Sequence, residues 1–567
     1  MTSPLRFARR ILPVLLIAAG LPAAAQAQDA PFSRLGAYLA GRIAAAERDM
    51  QAASRYYAFA LEADPANAEL RRHAFQAHLA AGDMNQALRL AESLVRDANT
   101  ANIAHLTLAA AAAKKGDFAA ARRHVEVLPE TGANRLLKPG FLAWIEFGLG
   151  DPVKPVEALR ALSGIEALRV FLELHLALVH DAAGRTALAD AAYKSAAGGV
   201  DTPPLRVTQA YASFLARGGR RQDAIALWDK YLAASPDSSI ADIARQRLVE
   251  GKAPRRLVAK APEGMAELLL NLAGALQQEN ATLPALIYAR LADYLRPNDP
   301  DTLNLIAGLL ESDDQFEAAV ELYRRIPRDS DLSWSARRAA AANLAQLKKT
   351  DEAAKLFEEM AGERRERWDA LLLLGNLYRS EKQFAKAVEA YDRALVRIPK
   401  LEERHWNLLY VRGIANERAK NWPRAEADFK KALELKPNEP YVLNYLAYTW
   451  VDRGENLDEA KRMLDEAVRQ KPDDGAIVDS VGWAYYRLGQ FEKALEFLEK
   501  AIELAPEDPA INDHLGDVYW RVGRRPEARF QWNRALSLNP EPEDVPKLKE
   551  KVDKGLPALP AAPGAKP

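Results

Sequence analysis

IVDSVGWAYYRLGQFEKALEFLEKAIELAP, residues 477–506, is the stretch on which the fold turns. Gly482, Tyr485, Ala494, Leu498, Ala501 and Pro506 are its landmarks. The same landmarks return 34 residues later as Gly516, Tyr519, Ala528, Trp532, Ala535 and Pro540. Upstream they read Gly375, Tyr378, Ala387, Tyr391, Ala394 and Pro399, then Gly413, Ala425, Phe429, Ala432 and Pro437. A further copy ends at Pro472 and carries Ala447, Trp450, Ala460 and Ala467. The small-residue position alone spans most of the chain. Ala285, Ala319, Ala353 and Ala387 stand 34 apart, Ala425, Ala460, Ala494 and Ala528 continue the series, and Ala53, Ala87 and Ala121 repeat it near the N-terminus. Self-similarity at this period marks a repeat architecture of about 14 helix-turn-helix units, each packed on its neighbours.

Each landmark has a packing reason. The first helix of a unit offers Gly375 or Gly482 where the second helix crosses closely, and the second helix answers with Ala387 or Ala494. Overfilling either position would force the pair apart. Tyr378, Tyr485 and Tyr519 fill the space toward the next unit, and the prolines from Pro399 to Pro540 stop each second helix. These stripes are core, with no cofactor box among them.

The pattern is that of the tetratricopeptide repeat (TPR), and the resemblance covers about nine-tenths of the chain. It implies an all-α fold, an α-solenoid in which antiparallel helix pairs build a right-handed superhelix, here as two stacked arrays. First helices line the concave face of such a stack, so their outward positions are candidates for holding a partner. In the C-terminal array these are Asn376, Asn444, Tyr448, Asp479, Trp483, Tyr486, Asp513, Asp517 and Trp520. Rings beside amides and carboxylates suit a peptide, the rings supplying area and the polar groups fixing the backbone. One TPR class grips a terminal carboxylate with Lys, Asn and Arg. The chain departs from it, because Asp479, Asp513 and Asp517 point instead to a basic or extended internal segment.

NYLAYTWVDRGENLDEA (444–460), IVDSVGWAYYRLGQ (477–490) and INDHLGDVYWRVGRRPEARFQW (511–532) resemble periplasmic many-TPR proteins of proteobacteria. These include the lipoprotein adaptor of a carboxyl-terminal processing protease. The resemblance implies an adaptor that presents client proteins to a periplasmic protease or cell-envelope enzyme. The other class of function is a structural assembly factor for envelope or secretion machinery. The chain has no cysteine, so the adaptor's lipid attachment does not carry over.

Outside the repeats, Arg6, Arg9 and Arg10, the apolar run Ile11–Leu21 and Ala25-Gln26-Ala27 read as a signal peptide over 1–27. The mature protein is expected to be exported, periplasmic and soluble, with no membrane span. The period breaks between Ala224 and Ala285, which stand 61 apart, where Gly251, Pro254, Pro262 and Gly264 cluster. The expected division is an N-terminal array over 32–250, a solvated linker over 251–264, a C-terminal array over 265–540, a capping helix within 541–554, and a disordered tail over 555–567. The 78 basic and 78 acidic residues cancel, which removes any electrostatic pull toward nucleic acid or anionic lipid. No Gly-rich phosphate loop, His-Glu-x-x-His or Cys nucleophile occurs, and repeats leave no room for a catalytic domain. His73 with His78, and His175 with His180, stand five apart and miss the spacing that puts two ligands on one helix face. No enzyme, cofactor or metal is expected; the expected partners are proteins or peptides.

Overall fold

In the computed structural model, residues 33–557 are described, apart from Val200 and Ala253. The signal-peptide reading and the tail beyond Pro557 lie outside these residues. The described residues form 30 α-helices and no strand, an all-α solenoid of paired helices. None of the helices is long and apolar enough to cross a membrane.

The repeat landmarks are core, but each first-helix glycine meets the side chain four residues after the expected alanine: Tyr391, Phe429, Leu498 and Trp532 lie against Gly375, Gly413, Gly482 and Gly516. A Cβ on Gly375 would stand 2.3 Å from the Tyr391 ring, and one on Gly516 would stand 2.5 Å from Trp532. The first and second helices therefore cross at a distance only glycine allows. Ala387, Ala494 and Ala528 are fully buried on the facing helices. The capping helix forms as Val545–Lys554 and buries Leu548 against the last repeat.

The chain divides into two compact units, one ending at Gln315 and the other beginning at Phe316. The boundary is not the 251–264 stretch, and that stretch is no solvated linker. Pro262 and Gly264 lie inside a helix, Ala261–Gln278, with the proline in its first turn. The residues before it are pinned. The Ser213 hydroxyl donates to the Arg255 carbonyl at 2.7 Å, Arg256 pairs with Asp181 at 3.4 Å, and Arg296 donates to the Leu257 carbonyl at 2.8 Å.

The helices after this stretch turn back along the first unit. Ala261–Gln278 packs on Ala101–Lys114 and Asn134–Gly148, and Thr282–Leu295 packs on Ala68–Ala81 and Ala101–Lys114. All three recipients are first helices of their pairs, so the chain fills the concave face of its own N-terminal array. The fit is close: a Cβ on Gly264 would meet Trp144 at 2.1 Å, and one on Gly140 would meet Leu268 at 2.7 Å. This explains the weak repeat around Trp144, whose largest side chain is fully buried and faces the inserted helix.

A buried polar cluster fixes the insertion. Arg206 grips Glu267 with two bonds of 2.8 and 2.6 Å and reaches Asp301 at 2.9 Å, while Asn271 donates to Glu267 at 2.8 Å. Burial alone would raise the Glu267 carboxyl, but the Arg206 charge and its paired bonds outweigh it and hold the group down at about 2. His175 lies beside the cluster, fully buried, with neither ring nitrogen bonded. Burial pushes its imidazole down to about 4, so it is neutral at pH 7.

Candidate functional site

The face formed by the first helices of the second unit is the candidate site. Its lining comes from Asp369–Ser380, Trp406–Arg418, Pro440–Arg453, Gly475–Arg487 and Pro509–Arg521. All nine residues read from the sequence lie on these helices, but most are not free.

Asn376 accepts from the Tyr391 hydroxyl at 2.8 Å, a bond within its own repeat. Asp479 is buried and lies 3.0 Å from the His514 imidazole of the following repeat. Trp483 is sandwiched: its ring stacks on Tyr486 at 4.7 Å and on His514 at 4.0 Å. The Tyr486 hydroxyl accepts from Arg521 at 3.3 Å. Asp513 and Asp517 both accept from Lys551 of the capping helix, at 2.7 and 2.9 Å, and Asp517 also accepts from the Trp532 indole at 2.9 Å. Burial works against charge on Lys551, but Asp517 and Asp513 outweigh it and raise its pKa.

The Trp520 indole donates to the Leu556 carbonyl at 3.2 Å, and Arg521 donates to the Pro557 carbonyl at 2.7 Å. The first residues of the expected disordered tail are therefore seated on the last repeat. Side chains near the middle of a first helix reach the second helix of their own repeat, the neighbouring first helix or the cap before they reach solvent, so they serve the stack.

This overturns the expectation that these positions stand open, and with it the case for a basic ligand. The three carboxylates that suggested one already have part-buried cationic or imidazole partners. Sequence reasoning missed those partners, His514, Lys551 and Arg521. The signal was present: Asp479 to His514, Tyr486 to Arg521 and Asp452 to Arg487 are each separated by 35 residues, one repeat plus one.

A smaller surface remains. Tyr441, Asn444 and Tyr448 lie at i, i+3 and i+7 on Pro440–Arg453 and share one face of the helix. Tyr441 is 41% exposed. Burial, with Asp479 and Asp452 nearby, pushes the Tyr448 hydroxyl up and keeps it protonated. The Asn444 side-chain oxygen and the Trp483 indole N–H are buried and bonded to nothing. One is an acceptor and the other a donor, on adjacent first helices. Among the described residues, no group of three or more His, Cys, Asp or Glu side chains is arranged to hold a metal.

The family model and the curated relative that match the chain are of repeat proteins. The family model of the cilia and flagella-associated protein 70 C-terminal domain matches residues 272–550. A TPR repeat-containing protein of Pseudomonas aeruginosa is 31% identical over 147 residues, which is 26% of this chain and 24% of that relative. The match thus spans about a quarter of the relative's length. Among solved structures, a tetratricopeptide repeat protein from Parabacteroides merdae aligns with 45% of this chain and 98% of its own, at 19% identity and a TM-score of 0.38. Yeast Tom70 aligns with 92% of this chain and 95% of its own, at 13% identity and a TM-score of 0.35.

Proposed function

Since the chain belongs to the tetratricopeptide-repeat family, we propose that it is an exported adaptor that holds an extended segment of a client protein on the first-helix face of its second unit. The observation that carries this reading is the unbonded pair of Asn444 Oδ1 and Trp483 Nε1, set beside exposed Tyr441. An unpaired buried donor or acceptor costs about 1–3 kcal/mol, and a peptide backbone supplies both complements, an N–H and a C=O. The rings of Tyr441 and Tyr448 add apolar area on either side. Since Asp479, Asp513 and Asp517 are already matched, the ligand needs no net positive charge.

Export rests on the arginine-flanked apolar run at residues 6–21 and the Ala25–Ala27 site. The resemblance of residues 444–460, 477–490 and 511–532 to the periplasmic adaptor of a carboxyl-terminal processing protease supports a role in presenting clients to such an enzyme. The test is crosslinking capture from the cell envelope with the full mature chain as bait, wild type against Tyr441→Ala with Asn444→Ala. The adaptor reading expects at least two partners that are captured separably, one of them a protease, and both reduced by the substitutions. Capture of one large complex, insensitive to the substitutions, would instead identify an assembly factor.

A further inference from the structure

A pair of histidines in the first unit lies within one repeat, outside the face proposed for client binding. His105 is on Ala101–Lys114 and His124 on Phe118–Glu126, the two helices of one repeat. Their Nδ1 atoms face each other at 3.0 Å, and the rings are tilted by 47°. Both residues are half-buried.

Two imidazole nitrogens bound at about 2.0–2.1 Å to one ion lie about 2.9 Å apart at a right angle and about 3.3 Å apart at a tetrahedral angle. The observed distance falls in this range, so one ion reaches both nitrogens with little movement of either ring. Imidazole suits copper, nickel and zinc, and Cu(II) stands highest in the general order of affinity. We propose that His105 and His124 form a two-nitrogen site for a divalent transition-metal ion, with Cu(II) bound most tightly. No third protein ligand accompanies the pair among the described residues, so water would complete the coordination.

Without metal, the same distance accommodates an ordinary hydrogen bond in which one ring donates to the other.

Electron paramagnetic resonance of untagged, chelator-stripped full-length protein with one equivalent of Cu(II) tests the assignment. The expected spectrum is tetragonal, with splitting from two nitrogens. His105→Gln and His124→Gln should each weaken binding at least about tenfold, the double variant no more than either, and His73→Gln should leave it unchanged. If a variant fails to fold, paramagnetic broadening of the His105 and His124 ring resonances in the wild type decides instead. A spectrum without two-nitrogen splitting, splitting that persists in both folded variants, or broadening confined to other histidines would overturn the proposal.

Discussion

The two units use one repeat for opposite ends. In the first, the face formed by the first helices is covered by the chain's own Ala261–Gln278 and Thr282–Leu295, and Trp144 against Gly264 leaves no gap. In the second, the equivalent face carries contacts within and between repeats and with the capping helix, with the Asn444 oxygen and the Trp483 indole left unbonded and Tyr441 exposed. The first unit covers its own face, whereas the second leaves Tyr441 exposed. Under the proposed function, occupation of the groove, more than the repeat sequence, separates a structural array from a recognition array.

The comparison can be broken most decisively by truncation. A chain ending at residue 250 removes the inserted helices and bares Trp144 and the surface at Gly140, so it should fail to fold cooperatively, whereas residues 28–315 should fold. Circular dichroism melts of the two fragments check this; a cooperative melt from the shorter one would show that the insertion is dispensable. Next in size is Glu267→Ala. Arg206 would then be buried without its main partner, which costs about 3–5 kcal/mol. Denaturant unfolding should show the loss in the first unit, with the second unchanged. In the second unit, Ala494→Leu should cost about 1–3 kcal/mol by overfilling the crossing beside Gly482. The loss should appear there and leave the first unit's transition in place.

The units should also answer pH in opposite directions. The His175 imidazole is depressed in the folded state, so between its ordinary value and about 4 the unfolded chain binds a proton the native chain refuses. Stability is lost as pH falls through that window, at up to about 1.4 kcal/mol per pH unit. For His514, burial alone would lower the pKa, but Asp479, Asp513 and Asp517 raise it. Its contribution is complete below the ordinary histidine value and is lost as pH rises through the raised one. Melts of His175→Leu and His514→Gln across pH 4–9 should flatten the acid limb and the alkaline limb respectively. No change on either limb would show that these imidazoles are not linked to folding.

The smallest effect on stability belongs to Asn444→Ala, which removes an unbonded acceptor and should shift the melt by less than about 1 kcal/mol. Client binding should nevertheless fall about tenfold. A large loss of stability there would mean that Asn444 serves the stack, as its neighbours do.

Much of this comparison was legible in the sequence. The 34-residue recurrence gave the helix pairs, Gly375 and Gly516 sit where their small size is needed, and the capping helix forms over Val545–Lys554. What the period could not show is what lies across a concave face. Trp144 and Gly264 are 120 residues apart, and Pro262 with Gly264 reads as a loop until a partner helix explains the glycine. The site was legible as a face but not as a set of open side chains. Asp479, Asp513 and Asp517 looked available because His514 and Lys551 lie in the next repeat or the cap, at positions where the consensus sets no residue type.

The central claim is that the second unit's face receives a client while the first unit's does not. A photo-crosslinking residue introduced into the full chain tests it most directly at three positions. These are 441 on the second face, 283 on the inserted helix (Leu283, 37% exposed), and 396, where Val396 is 87% exposed outside the groove. Irradiation in the native cell should yield adducts with other proteins from 441, and none from 283 or 396. Adducts from 283 with 441 silent would contradict the account and move recognition to the first unit.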